Sequence, residues 1–221
     1  MGEIISLTAA DGHVLDAYGV MPASRPVGGL VVVQEVFGVN RHIREVCDRF
    51  AAAGYAVVAP SLFDRVRRDV DLDYDSTGLA AGRALRMEVG WEAPLLDVEA
   101  AIVSLTDHGK VGIIGHCWGG SVTWLAATRL TVAAAVCYYG GQIVEFKDER
   151  AKCPVMMHFG EKDPYIPTED IAVICQALPE AKIFRYPASH GFNCDRRDDF
   201  DSESARLAGG RTLDFLAEHL N

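Results

Sequence analysis

The sequence predicts an α/β fold with a mostly parallel, doubly wound central sheet and helices on both of its faces. Short apolar runs alternate with longer segments whose apolar residues recur at helical spacing. This alternation is typical of β-α-β units, in which a helix connects two parallel strands. The length of 221 residues fits one domain, and a hydrophobic fraction of 49% is sufficient for a large core. We therefore predict a single domain over residues 1–221, in which residues 61–90 form an insertion of loop and helix near the site.

The predicted strands are short and apolar, and many of their residues are β-branched. They cover residues 3–8, 28–35, 55–59, 110–114, 132–139, 154–159 and 182–186. Most are continuous apolar runs, which are typical of strands buried on both faces of a parallel sheet. Pro60 ends the third run, because proline cannot donate a hydrogen bond to the strand ladder.

Helical periodicity predicts the segments between these strands. The predicted helices cover residues 41–53, 95–106, 118–128, 168–178 and 205–220. In the first helix, the apolar residues from Ile43 to Ala51 fall on one face, and Gly54 follows as a C-cap. Pro94 stands near the first turn of the second helix, where a missing N–H is tolerated. Residues 61–90 are acidic and irregular at first and then helical.

Charge and cysteine usage exclude several classes of function. Asp and Glu outnumber Lys and Arg by 31 to 21, and the net charge of −10 argues against nucleic-acid and anionic-membrane partners. No apolar run approaches the roughly 20 residues that span a bilayer, and the N-terminus lacks a secretory pattern. The six cysteines form no CxxC pair, so we expect no metal site and no disulfide framework. We predict a cytoplasmic, reducing location and a monomer, since no heptad pattern is present.

Two acidic runs, residues 69–75 and 195–201, are the remaining candidates for binding a metal ion. Neither run has the regular ligand spacing and the turn glycine of a calcium-binding loop. We interpret both runs as solvated loops.

The most informative segment is Gly115-His116-Cys117-Trp118-Gly119, which lies between a predicted strand and a predicted helix. It matches the nucleophile-elbow pattern G-x-S-x-G, with cysteine in place of serine. The turn is so tight that side chains at 115 and 119 would collide, and the middle side chain projects above the sheet edge. Unpaired amides of the following helix lie there and can bind developing negative charge. A cysteine is ordinarily a small core residue, but at this position we predict a nucleophile.

A nucleophile in such a fold needs an acid and a histidine, in that chain order. Asp163 follows a strand end in the turn Gly160-Glu-Lys-Asp163-Pro164, and His190 follows the strand that ends at Tyr186. Each residue alone has an ordinary alternative, namely a turn former and a surface histidine. Their order and spacing after Cys117 favour a triad of Cys117, Asp163 and His190.

These residues resemble the dienelactone hydrolases, a family with the α/β-hydrolase fold. The resemblance covers nearly the whole chain, and its most specific parts are Gly115-His-Cys-Trp-Gly-Gly120, Asp163, His190-Gly-Phe192 and Gln34-Glu-Val-Phe-Gly-Val-Asn40. It implies a hydrolase without cofactors that cleaves a small lactone or ester, of the dienelactone or carboxymethylenebutenolide type. Cys117 would form an acyl-thioenzyme, His190 would carry the proton, and Asp163 would orient His190.

The family also has a buried glutamate at the position of Glu35. The resemblance implies that Glu35 accepts the proton of Cys117 when substrate displaces the partner of the carboxylate, since an acidic neighbour otherwise disfavours a thiolate. The alternative is a strand-end carboxylate that is hydrogen-bonded to loop amides. The resemblance also implies an oxyanion hole made by the backbone N–H groups of Trp118 and Val36.

One departure concerns the substrate. The family usually binds a substrate carboxylate with arginines, one of them four residues after the catalytic histidine, and this position is Cys194 here. The candidates for binding substrate are Phe37, Arg83, Arg196 and Arg197. A carboxylated lactone therefore remains one of two options, and the other is a less anionic ester.

Three alternatives remain beside a dienelactone hydrolase. A general carboxylesterase or thioesterase of the same fold would differ in substrate and not in mechanism. A glutamine amidotransferase would place its base and acid as H-x-E late in the chain, whereas Gly191 and Phe192 follow His190 here. A thiol redox sensor would oxidise Cys117 or pair it with Cys194, and mass spectrometry of peroxide-treated protein would separate it from an esterase.

Overall fold

The computed structural model describes residues 2–220, so Met1 and Asn221 of the predicted domain lie outside the described residues. The strands are β1 (Glu3–Thr8), β2 (Val14–Val20), β3 (Gly29–Val33), β4 (Ala56–Pro60), β5 (Val111–His116), β6 (Ala134–Tyr138), β7 (Val155–Gly160) and β8 (Lys182–Tyr186). The helices are α1 (Arg41–Ala52), α2 (Ser76–Val89), α3 (Glu92–Leu105), α4 (Trp118–Arg129), α5 (Thr168–Ala177) and α6 (Ser202–Leu220). Short 3₁₀ turns cover Leu62–Arg65, Thr106–His108 and Ile143–Phe146.

All eight strands belong to one sheet, in the order β1-β2-β4-β3-β5-β6-β7-β8. The strands from β3 to β8 pair in parallel, and β1 and β2 form an antiparallel hairpin whose second strand pairs with β4. Helix α3 packs on β3 and β4, and α4 and α6 both pack on β5 and β6. The predicted fold class, a mostly parallel and doubly wound α/β sheet, is confirmed.

The parallel arrangement brings the carboxyl ends of neighbouring strands to one edge. Val33 near the end of β3 pairs with Gly115 of β5, and His116 at the end of β5 pairs with Tyr138 of β6. The segments that leave β3, β5, β7 and β8 therefore begin next to one another. In open parallel sheets this edge is where ligands bind.

Helix starts differ from the sequence prediction in two places. Helix α3 begins at Glu92 rather than at Leu95, so that Pro94 lies inside its first turn, and α6 begins at Ser202 rather than at residue 205. The side chain of Asp201 accepts a hydrogen bond from the backbone N–H of Ser204 at 2.8 Å, which stabilises the earlier start of α6.

Both acidic runs that were predicted to be solvated loops end in a residue that caps a helix. Asp75 precedes α2 and accepts a hydrogen bond from the N–H of Gly78 at 2.7 Å, and Asp201 does the same for α6. An N-cap of this kind typically contributes about 1 kcal/mol. In the predicted insertion over residues 61–90, α2 is the long helix, and a 3₁₀ turn precedes it. None of the helices in residues 2–220 combines the length and apolarity needed to cross a membrane.

Candidate active site

Cys117 lies in the sharp turn between β5 and α4, in a backbone conformation that side chains rarely adopt. Its φ is +56° and its ψ is −121°. A Cβ atom at Gly115 would overlap the carbonyl oxygen of Gly119, and one at Gly119 would overlap that of Gln34. The two glycines are therefore required by the close approach of the backbone, as the elbow pattern predicts. Strained conformations of this kind typically occur where a side chain must be held in position for function.

Asp163 and His190 are brought together by the loops that follow β7 and β8. Nδ1 of His190 lies 2.7 Å from Oδ2 of Asp163, and both residues are buried. The other oxygen of Asp163 accepts hydrogen bonds from the backbone N–H groups of Tyr165 at 2.8 Å and Ile166 at 3.2 Å. These bonds fix the carboxylate, and the carboxylate in turn fixes the orientation of the imidazole.

His190 also interacts with Cys117, and the two residues line the same cavity. Burial alone would lower the pKa of His190, but the Cys117 sulfur and the Asp163 carboxylate outweigh burial and raise the pKa to about 10. The arrangement therefore favours the protonated form of His190. The structure brings all three residues of the predicted triad to one place.

Glu35 follows β3 and is completely buried. The hydroxyl of Tyr74 donates a hydrogen bond to its Oε2 at 2.7 Å, and Nη1 of Arg197 lies 3.6 Å from its Oε1. Burial raises the pKa of Tyr74, and Glu35 raises it further, so the tyrosine keeps the proton that it donates. The partners of Glu35 are thus two side chains, and the alternative of a carboxylate bonded to loop amides does not describe its contacts.

Val36 and Trp118 line the cavity beside Cys117, on the loop after β3 and at the first position of α4. Among residues 2–220, neither backbone N–H donates a hydrogen bond, although both residues are buried. The indole of Trp118 stacks on Phe63, with ring centroids 5.2 Å apart, and this contact holds the start of α4. Two free amides next to a nucleophile are the groups that an oxyanion hole needs.

The cavity has a volume of about 270 Å³ and carries cationic groups. Arg83 and Arg86 of α2 and Arg197 all line it. The guanidinium of Arg83 lies over the ring of Tyr165, and that of Arg197 lies near the ring of Phe37, at 5.1 and 5.9 Å from the centroids. Arg83 and Arg197 are therefore each held at the wall by an aromatic ring.

Three of the four predicted substrate-binding candidates, Phe37, Arg83 and Arg197, line this cavity. Arg196 does not, and its placement is a correction to the prediction. Its Nε donates to Glu45 of α1 at 3.2 Å, on the exterior. Arg196 and Arg197 are adjacent, but the chain directs their side chains to different places, which a pattern of residues cannot predict.

Sequence reasoning missed Tyr74 and Tyr165 as residues of the site, and it offered Arg86 only as one of five candidate arginines in residues 61–90. Tyr74 stands inside the acidic run 69–75, where nothing in the sequence distinguishes a buried aromatic from an exposed one. A helix predicted over residues 76–89 would have placed Arg86 one turn after Arg83, on the same side of the helix. Both lie near one face of that helix, at a spacing of three residues.

Comparisons with known proteins show similarity over nearly the whole chain. A family model described as the dienelactone hydrolase family matches residues 15–220. A carboxymethylenebutenolidase of Pseudomonas putida is 34% identical over 226 residues, which cover 97% of this chain and 96% of that protein. A crystal structure from Klebsiella pneumoniae, provisionally named a dienelactone hydrolase, is 30% identical, covers 99% of both chains and superposes with a TM-score of 0.89. An esterase of Pyrococcus furiosus shares the fold at 13% identity, with a TM-score of 0.73 over 100% of this chain and 93% of that one.

Proposed function

Because the chain belongs to the dienelactone hydrolase family and is a hydrolase of esters or lactones, we propose that it works through a Cys117 acyl-thioenzyme. The observation that carries this proposal is the 2.7 Å contact between Asp163 and His190 beside a cysteine held at φ +56°. Asp163 orients the imidazole of His190, and the imidazole donates a proton to the departing oxygen and later accepts one from water. The substrate is a small molecule with an activated ester or lactone carbonyl.

The reaction has two halves. Sγ of Cys117 attacks the carbonyl carbon, and the N–H groups of Val36 and Trp118 bind the oxygen that becomes negative. The tetrahedral species collapses, the C–O bond of the ester breaks, and His190 protonates the departing oxygen. In a lactone the departing oxygen stays tethered to the acyl group. Water then attacks the thioester with His190 as base, which releases the acid and restores the thiol.

Glu35 supplies the control of the thiol in this proposal. In the resting site Arg197 lies 3.6 Å from its buried Oε1. An anionic substrate that draws Arg197 towards itself leaves that oxygen without a cation, so the carboxylate becomes able to accept the Cys117 proton. The Cys117 thiolate would thus form only when substrate is bound.

The cations of the cavity favour a carboxylated lactone as substrate. Arg83, Arg86 and Arg197 line a cavity of about 270 Å³, and arginine binds carboxylates through paired hydrogen bonds. The Pseudomonas putida relative is named a carboxymethylenebutenolidase, and we propose a substrate of the same class here. The second candidate is an esterase for less anionic substrates, which Cys194 favours, because cysteine supplies no charge at this position.

We also propose a cytoplasmic monomer without a resident cofactor. All six cysteines of the chain are free, which supports a reducing compartment. Size-exclusion chromatography with light scattering would test the monomer.

The test of the function uses a carboxylated dienelactone and the neutral p-nitrophenyl acetate with wild type, Cys117→Ala and Cys175→Ser. We expect wild type to prefer the lactone and Cys117→Ala to lose at least about 10³-fold in kcat on both. Cys175→Ser, at an exposed cysteine away from the cavity, is the matched control and keeps full activity. Full activity in Cys117→Ala would refute the nucleophile, and turnover of the neutral ester alone would favour the second candidate.

A further inference from the structure

A second group of reactive side chains lies beside the catalytic residues, and the reaction proposed above uses only one of its members. Glu35, His42 and Cys194 are completely buried, and one ligand atom of each lies within 4.8 Å of the others. Oε1 of Glu35 and Nε2 of His42 have no hydrogen-bond partner in the described part of the chain. Oε1 has only the ion pair with Arg197 at 3.6 Å. Because buried polar atoms usually have hydrogen-bond partners, these two atoms are able to take a further ligand.

The contact with Asp195 selects the tautomer of His42. Nδ1 of His42 lies 3.2 Å from Oδ1 of Asp195, and a carboxylate only accepts hydrogen bonds. Nδ1 therefore carries the hydrogen, and Nε2 presents a bare lone pair to the cluster. Histidines that bind metals typically have this arrangement, with the second ring nitrogen donating to a carboxylate.

The other two side chains complete a donor set suited to zinc. The Tyr74 hydroxyl donates a hydrogen bond to Oε2 of Glu35, so Oε1 is the carboxylate oxygen that can coordinate a metal ion. Cys194 adds a sulfur. One sulfur, one imidazole nitrogen and one carboxylate oxygen are the donors that Zn²⁺ commonly takes, with water as a fourth ligand. Bonds of about 2.0–2.3 Å require the three side chains to close on a common centre.

We propose that Glu35, His42 and Cys194 bind Zn²⁺, and that the bound ion inhibits the hydrolase. The Cys194 S–H bond breaks, its proton goes to solvent, and the S–Zn bond forms, with no change in oxidation state. The inhibitory half rests on the proposed function, because an ion on Oε1 of Glu35 prevents that oxygen from accepting the Cys117 proton.

Arg197 is the competitor of the metal ion. Its Nη1 lies 3.6 Å from Oε1 of Glu35, and its Nη2 lies 3.3 Å from Oδ2 of Asp199. The second partner gives the guanidinium a place to move when a metal ion occupies Oε1. A cation near the site weakens the binding of another cation, so Arg197→Gln is expected to tighten metal binding.

The sequence did not predict this site, and no metal was expected there. Residues 35, 42 and 194 have no local spacing of the CxxC or HxxxH kind. Two of the ligands come from the segment after β3 and the start of α1, and the third comes from the loop after His190. Only the folded chain brings them together.

The binding test uses Co²⁺ as a spectroscopic substitute for Zn²⁺, in a Cys117→Ser background, so that the catalytic thiol cannot contribute. We expect one Co²⁺ per chain, a sulfur-to-cobalt charge-transfer absorption, and loss of this absorption on addition of Zn²⁺. Adding Cys194→Ser removes the absorption, and adding His42→Gln weakens Co²⁺ affinity at least tenfold. Cys175→Ser in the same background is the matched control and keeps both properties.

The binding half is overturned if the Cys117→Ser protein shows no sulfur-to-cobalt absorption, or if the absorption survives Cys194→Ser. Circular dichroism confirms that each variant is folded, and His42→Gln gives a second test should Cys194→Ser not fold. This absorption does not depend on turnover, so its outcome is independent of the proposed esterase mechanism.

The inhibitory half is tested by ester turnover with increasing Zn²⁺. We expect wild type to lose activity as one site fills, and His42→Gln to need at least tenfold more Zn²⁺ for the same loss. Equal inhibition of the two proteins would overturn this half and would locate the inhibitory ion elsewhere, for example on Cys117 and His190. Full turnover in protein that has bound one Zn²⁺ would overturn it as well.

Discussion

The carboxyl edge of the sheet and the core beneath it stabilise opposite charge states of buried histidines. At the edge, His190 lies against Asp163 and Cys117, and its pKa is raised to about 10. In the core, burial and then the Arg211 guanidinium lower the pKa of His158, within β7, to about 3. Both side chains are almost completely buried. The charge of the neighbours, and not the depth of burial, therefore decides which histidine can hold a proton at neutral pH.

The partners of the two histidines explain this difference. Nδ1 of His158 lies 2.8 Å from the Tyr186 hydroxyl, and its Nε2 lies 3.1 Å from Oγ1 of Thr212. Neutral hydroxyls satisfy the ring without stabilising its charge, whereas a carboxylate stabilises an imidazolium. The edge histidine can therefore carry a proton at neutral pH, whereas the core histidine is a hydrogen-bonded packing residue.

The greatest loss of activity is expected when His190, like His158, has only neutral hydrogen-bond partners on its ring. Asp163→Asn replaces the charged partner with a neutral amide, so the imidazolium loses its stabilisation and its fixed orientation. We expect kcat to fall by about 10³–10⁴-fold, with the pKa of His190 shifted downwards. The pH dependence of kcat, together with NMR titration of His190, measures both effects. A loss of less than about tenfold would contradict the role of Asp163.

A smaller effect concerns the other charged pair at the edge, Glu35 and Arg197. Arg197→Gln is expected to raise KM for a carboxylated lactone by roughly 10–100-fold, the value of a charge-assisted hydrogen bond, and to leave KM for a neutral ester nearly unchanged. Arg196→Gln is the matched control, since Arg196 binds Glu45 on the exterior. Equal changes in KM for the lactone in the two variants would refute the role of Arg197 in binding the substrate carboxylate.

A smaller change is expected in the pH dependence of stability, through the buried His158. The folded pKa of His158 is about 3, and an unfolded histidine has a pKa of about 6.5. Between these values only the unfolded state binds the proton, so stability falls as pH decreases from about 6.5, by up to about 1.4 kcal/mol per pH unit. His158→Gln removes this contribution. Urea unfolding at about pH 6 and about pH 5 should show a shallower decrease in the variant, and identical decreases would contradict a neutral His158.

The parts of the molecule that the sequence predicted are those set by local requirements. Continuous apolar runs predicted the parallel strands, because a strand buried on both faces has no polar side to display. The elbow at Cys117 was predictable because its two glycines form a local pattern. A Cβ at Gly115 would overlap the turn itself, whereas one at Gly119 would overlap Gln34 on the neighbouring segment. The positions of Asp163 and His190 followed from strand ends that must share one edge.

The parts that the sequence did not predict depend on residues far apart in the chain. The contact of Tyr74 with Glu35 spans 39 positions, and that of His42 with Asp195 spans 153. No local pattern determines such pairs, and none distinguishes the inward Arg197 from the outward Arg196. The start of α6 was misplaced because a capping side chain, Asp201, can extend a helix beyond its apolar periodicity. Helix α3 also begins before its apolar periodicity, at Glu92, and it has no side-chain cap.

In the proposed reaction Cys117 carries the acyl group, and trapping that group would identify the nucleophile. Wild type mixed with p-nitrophenyl acetate and quenched in acid before steady state should gain the mass of one acetyl group. Peptide mapping should place the group on the peptide that contains Cys117, in a bond that neutral hydroxylamine cleaves, and Cys117→Ser should not carry this thioester. An acetyl group on another residue, with Cys117 unmodified while product forms, would contradict the account.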